Sequence, residues 1–472
     1  MLSRSLAVVC AVAGVVVCGW GLVGSSACGQ NNDSEIARLR RQFSQPVTAA
    51  SPLADRLFVR LRTRSWLLSV DLAMPQPGGL NREINPRDFF NPSLPGVLVN
   101  PLNPNQPLGS GTATMRLEQV SLFFPLPERT AGHEFQAGTF DAQLNINGVQ
   151  VVSNTSQKMP AFVSGREGSR FAKWELPDGD ARRVQLQMTV PMGCSSLTMD
   201  ERVASEVDWP AAGKEWAPDA QSALEPAYLV DFVRDRKQVQ ETQDRIDALL
   251  KRWLGNRDPK SMRPVVLARL LSGLVMENFN TINTSSISGG GAGAMLGFRF
   301  QTAGETINAG RGTEAQVVQL LSAVLRRVGI PARTVFGVET RSRVGSGQPL
   351  RGTGRTRECV WLEFAVMDPA SGATVWVPVD IVRQRSSSSR APAEGRPWNF
   401  LGHHSELEFM LPISFQMHPP LDVSVSGLPA FWGWSSPRGV PSAFHGVSFN
   451  ISQQNSRDRD TNNPDPAPPG RR

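Results

Sequence analysis

Thiols and imidazoles carry most nucleophilic and acid–base chemistry at neutral pH, and the chain has five of each: cysteines at 10, 18, 28, 194 and 359, and histidines at 133, 403, 404, 418 and 445. A thiol becomes a nucleophile when an imidazole or a helix N-terminus favours its thiolate. Cys10 and Cys18 lie in an apolar run at the chain start and Cys28 just after it, which leaves Cys194 and Cys359. No histidine stands near Cys359 in sequence, so nothing local supplies it with a base. The two thiols could pair in an oxidising compartment, although sequence does not show that their backbones approach. The Ser- and Gly-rich stretch Ser285 to Gly293 has three consecutive glycines but no following Lys-Ser or Lys-Thr. It reads as a flexible connector rather than a phosphate cradle.

The element that would position any chemistry runs from Gly310 to Arg333. Thr313 and Gln316 stand in the Thr-x-x-Gln relation of a capping box. Val317, Val318, Leu320, Leu321, Val324, Leu325 and Val328 recur at helical spacing and form one broad apolar face. Gly329 and Pro331 end the helix, the first by its access to left-handed backbone and the second by lacking an N–H.

A helix of this kind leaving through Gly-Ile-Pro-Ala-Arg, then strands carrying Trp361 and a late Val377-Pro378-Val379-Asp380, resembles the core of the transglutaminase-like, papain-related family. The resemblance covers about Arg263 to Arg383. It implies a Cys at the helix start, a His two residues before the strand tryptophan, and an Asp on the next strand. Those positions hold Glu314, Cys359 and Asp380, so Asp380 alone is kept. A carboxylate at 314 suits the first turn of a helix but has no route to a thioester. With no histidine to orient, Asp380 would take donors from Arg333 or Arg383. If the family geometry holds, Glu314, Cys359 and Asp380 converge in one cleft, where a metal with His403 or His404 as a fourth ligand is a further option. The spacing matches no metal motif, and no cofactor is implied. Trp361 and Trp376 read as core side chains.

At 472 residues, 40% hydrophobic and 19% charged, the chain has room for two or three domains. The formal charge of +7 comes almost entirely from Arg, and no nucleic-acid motif accompanies it. Arg4, the apolar run from Leu6 to Val23 and Ser25-Ser26-Ala27 read as a signal peptide over 1–27. Cys28, directly after Ala27, is a candidate lipidation site. Cleaved and soluble, lipid-anchored through Cys28, and uncleaved anchor are three alternatives, all of them exported.

Residues 28–110 read as an N-terminal segment and a Pro/Asn-rich linker, with eight prolines between Pro75 and Pro107. Residues 111–205 read as a β-rich domain, with Asn147-Gly148 as a hairpin turn. Residues 206–385 follow as the transglutaminase-like domain, with helices expected over Tyr228 to Leu254 and Arg263 to Phe279. Residues 386–450 read as an aromatic and Pro-rich extension, and 451–472 as a disordered tail. The fold class is therefore α+β: helices packed on an antiparallel sheet, preceded by a smaller sandwich-like β domain. The resemblance and its departures imply an exported pseudoenzyme that binds a protein or a cell-envelope polymer. The alternative is an active amidase, peptidase or acyl transferase with a rearranged or metal-assisted site.

Overall fold

A computed structural model of the chain describes residues 51–74, 115–126, 129–136, 140–152, 160–164, 169–233, 235–282, 287–289, 295–298, 301–340, 357–393, 396–416, 432–435 and 446–453. The expected signal segment, Cys28, the proline-rich stretch from Pro75 and most of the polar tail lie outside them.

The described chain opens on helix α1 (Pro52–Leu57), capped by Ser51, whose side chain accepts from the Ala54 N–H. Strand β1 (Phe58–Met74) follows, and its alternate residues Trp66, Leu68, Val70 and Leu72 are buried, the period of two that a half-buried strand requires. Strands β2 (His133–Phe135), β3 (Asp141–Ile146), β4 (Val149–Val152) and β5 (Val184–Met199) join β1 in an eight-stranded sheet. Asn147 and Gly148, with φ of 54° and 82°, make the β3–β4 turn that their types suggest. A four-stranded sheet of Ser121–Pro125, Ala161–Ser164, Arg170–Glu175 and Gly433–Ser435 completes the β-rich part.

Helices α2 (Gln238–Leu254), α3 (Pro264–Asn278), α4 (Ala303–Ala309) and α5 (Glu314–Arg327) come next. The expected helix from Tyr228 starts ten residues late, at Gln238. Residues 227–233 instead form a turn around buried Asp231, which accepts from the Ala227 N–H at 2.7 Å and pairs with Arg326 of α5. Helix α5 packs on an antiparallel sheet of β6 (Ala332–Glu339), β7 (Arg357–Met367) and β8 (Thr374–Val379), followed by helix α6 (Ile381–Ser387). Strand β9 (Met410–Phe415) pairs with the outer edge of β6, giving the order β8-β7-β6-β9. Strand β10 (Gly446–Gln453) then returns to the first sheet and pairs with β1.

Strand β1, within the expected N-terminal segment, is a central strand of the first sheet. Within 386–450, β9 pairs along the edge of the core sheet and β10 along β1. An open edge leaves backbone N–H and C=O groups unpaired, and a distant segment satisfies both edges here. Pro412 hid β9, since proline inside an apolar run argues against a strand.

Asp368, after β7, ties α1 to this core: it accepts from Ser51 Oγ at 2.7 Å, the Leu53 N–H at 3.2 Å and Ser371 Oγ at 2.9 Å. Burial alone would raise its pKa, but these donors with the Ala370 N–H hold it down at about 2. Asp368→Ala is expected to cost about 1–3 kcal/mol in urea unfolding and to raise amide exchange over 52–57 first. Unchanged protection there would show that the helix does not depend on this carboxylate.

Candidate functional site

The capping box at the start of α5 forms as its residue types suggest: Gln316 Oε1 accepts from the Thr313 N–H at 2.8 Å, and Thr313 Oγ1 accepts from the Gln316 N–H at 3.3 Å. It sets Glu314 as the first residue of the helix, half-buried, where the dipole favours its carboxylate.

Cys359 stands on β7 opposite Gly337 of β6. It is 8% exposed and packs in an apolar cluster with Leu197, Val335, Trp361, Leu407, Met410 and Phe415. Leu197 belongs to β5, so the sheet face bearing Cys359 and Trp361 is covered by the β-rich part. Cys194, on β5, is fully buried, and burial together with the charge of Glu408 drives its thiol far above the ordinary range. The two thiols are not joined in a disulfide. Trp361 is fully buried, as expected of a core side chain, while Trp376 is half-buried and donates to Asp219 Oδ2 at 3.1 Å.

Asp380 is buried at the end of β8 and caps α6, its Oδ1 accepting from the Arg383 N–H at 2.8 Å. Its Oδ2 lies 3.1 Å from Arg383 Nε and 3.5 Å from His404 Nε2. Of the two expected donors, then, Arg383 serves Asp380, while Arg333 pairs with Glu363. Burial opposes ionisation of Asp380, but His404 and Arg383 overcome it and its pKa is lowered. Burial also lowers the pKa of His404, with Asp380 pulling the other way, so the pair reads as carboxylate beside neutral imidazole. Arg383 reaches Glu339 and Glu406 as well, which makes a charged knot between β6, α6 and the 404–406 turn.

Sequence reasoning missed His404 as the partner of Asp380, because no spacing rule links positions 380 and 404. Its placement comes from backbone pairing: the Asp380 N–H donates to the Phe400 carbonyl and the Gly402 N–H to that of Pro378, each at 2.8 Å. The His404 N–H then donates to the Leu197 carbonyl at 2.9 Å. Gly402 permits the course, with φ of 70° and no room for a Cβ against the Met199 side chain. A second histidine, His133, is buried against the Trp361 ring at 5.6 Å between centroids.

Chemically, the arrangement holds an imidazole beside the aspartate, yet both are at most 1% exposed, and the thiol nearest in the family pattern is enclosed by hydrocarbon. Among the described residues no three His, Cys, Asp or Glu side chains group closely enough to hold a metal ion, so the four-ligand site does not form there.

Helices on an antiparallel sheet, entered through a capped α5 and closed by Asp380, define an α+β protein. Residues 296–381 match the model of the transglutaminase-like superfamily. Among solved structures, the chain is similar to a candidate cysteine protease from Cytophaga hutchinsonii, at 11% identity and TM-score 0.44, covering 85% of this chain and 94% of that one. It is also similar to red sea bream transglutaminase, at 10% identity and TM-score 0.23, covering 57% of this chain and 49% of that one. No curated protein matches the chain.

Proposed function

We propose that the chain is an exported transglutaminase-like pseudoenzyme that binds a protein or cell-envelope polymer without acyl transfer. One observation supports this most: the helix start from which the family's thiol would act carries Glu314, while Cys359 is packed among apolar side chains. Acyl transfer needs a thiolate and a base together at an open position, and neither described thiol is exposed. Export rests on the N-terminal sequence, with lipidation at Cys28 as its anchored form.

Purified protein is expected to show no thiol-dependent amidase, peptidase or glutamine acyl-transfer activity. Cys359→Ala is expected to change stability alone, by about 1–2 kcal/mol. Turnover in the wild type that disappears in this variant would overturn the reading. The Asp380–His404 contact favours the second reading, an active hydrolase or transferase whose base comes from the 404 segment instead of β7. For that reading, turnover must be lost in His404→Gln while the protein stays folded.

A further inference from the structure

Across the first sheet, β10, β1, β5 and β3 lie side by side. Direct register partners form two rows on one face: Asn450, Ser69, Thr189 and Asp141 in the first, and Asp71, Gln187 and Gln143 in the second. Ser69 and Asp71 alternate with buried Leu68, Val70 and Leu72, so both rows lie on the face turned away from the core. They line a groove of about 460 Å³, within the usual range of roughly 300–1,000 Å³ for a ligand site. The Gln185 side-chain amide donates to Asp71 Oδ1 at 3.0 Å and Oδ2 at 3.2 Å, holding that carboxylate in place beside the groove.

The chemistry of the lining narrows its ligand. Carboxylates, amides and hydroxyls are present, and Lys, Arg and His are absent from the lining, so a phosphate or sulfate group would meet repulsion without a counter-charge. A divalent cation lacks its cage, because β5 separates Asp71 from Asp141 and no three ligand side chains group there. A protein hot spot needs a desolvated apolar anchor, whereas Val70, Met188 and Phe449 are buried in the sheet. Sugar hydroxyls fit, since each donates to a carboxylate and accepts from an amide N–H at once. The first row crosses four strands and the second three, at steps of about 4.8 Å, offering repeated contacts to an extended polymer.

We propose that this groove binds an uncharged glycan chain laid across the strands. The proposal rests on the polymer-binding reading above and names its polymer. Isothermal titration of the purified protein with chitohexaose is expected to show saturable binding, and a heparin hexasaccharide, as polyanionic counterpart, is expected not to bind. Gln143 and Gln187 are exposed, so Gln143→Ala with Gln187→Ala should leave the thermal midpoint unchanged and weaken chitohexaose binding at least about ten-fold. No chitohexaose binding, binding that the double variant leaves intact, or equal binding of heparin would each overturn the site. Acyl-transfer assays on the same preparation judge the pseudoenzyme reading separately. Chitohexaose binding by an acyl-transfer-active protein would keep the groove and reject that reading.

Discussion

Arg333→Met is expected to lower the unfolding free energy by about 3–5 kcal/mol, read as a shift in the urea midpoint at constant slope. Arg333 is 2% exposed and Glu363 fully buried. Nε and Nη2 both donate to Glu363 Oε2, at 3.1 and 2.7 Å. The guanidinium lies between the Trp376 and Phe415 rings, 3.9 and 3.8 Å from their centroids, and Nη2 also donates to the Arg129 carbonyl at 3.0 Å. Glu363 Oε1 accepts from the Ala131 N–H at 2.8 Å, so the pair fastens the 129–131 loop of the β-rich part to the core sheet. Methionine keeps much of the bulk but leaves a buried carboxylate without its counter-ion, and that residual charge dominates the cost. Adding Glu363→Leu should therefore recover part of the loss. A double variant less stable than Arg333→Met would show that the lost hydrogen bonds to the loop outweigh the stranded charge.

Acid should weaken the fold as pH falls from about 6.5 toward 4. His133 is held at about 4, down from 6.5, chiefly by burial, with His404 and Arg60 adding repulsion and the Leu407 and Met410 backbones opposing it. The Leu407 carbonyl can only accept, at 3.0 Å, so Nε2 carries the proton and Nδ1 accepts from the Thr130 hydroxyl. Because the folded pKa lies below the unfolded one, the unfolded chain binds more protons between the two values. The stabilisation is complete above about pH 6.5 and is lost as pH falls toward 4, by roughly 3 kcal/mol for this residue. His404, also lowered, acts in the same direction. Denaturant titrations from pH 7 to 4 should show this loss, and His133→Asn should be less stable at pH 7 yet have a flatter slope below it. A wild-type stability flat across that window would exclude a buried neutral His133. Asp368 and Asp380, whose pKa values are lowered, lose their contribution only at lower pH.

Local chemistry was legible where one residue decides one geometry. Thr313 and Gln316 gave the start of α5, Gly329 its end with φ of 89°, and Asn147-Gly148 the hairpin. The core helix follows from its helical periodicity, and strands β6 to β8 from apolar runs bounded by Gly-rich and Asp-Pro turns. What the sequence hid depends on partners far away along the chain. Arg333 could be foreseen as a buried cation, but its choice of Glu363 over Asp380 is a matter of which strand faces which. His404 reaches Asp380 only because 400–402 pair with 378–380, and no periodic pattern marks an irregular segment. In the same way, β1 is hard to read from sequence, since Arg60, Arg62 and Arg64 interrupt its first half and the alternation becomes clean only from Trp66.

Strand β1 has its two neighbours at very different distances along the chain: β5 follows within the same part, whereas β10 pairs Trp66 with Gln453, on the far side of the whole helical core. Loop closure over roughly 390 residues makes this contact slow to form. During synthesis β1 would wait, with one edge open, until the helical core and its sheet had been made. Order of assembly is thereby written into the topology: the core of α2–α5 and β6–β9 can fold first, the first sheet is completed last, and a chain cut before Gly446 would carry a finished core beside an unfinished sheet.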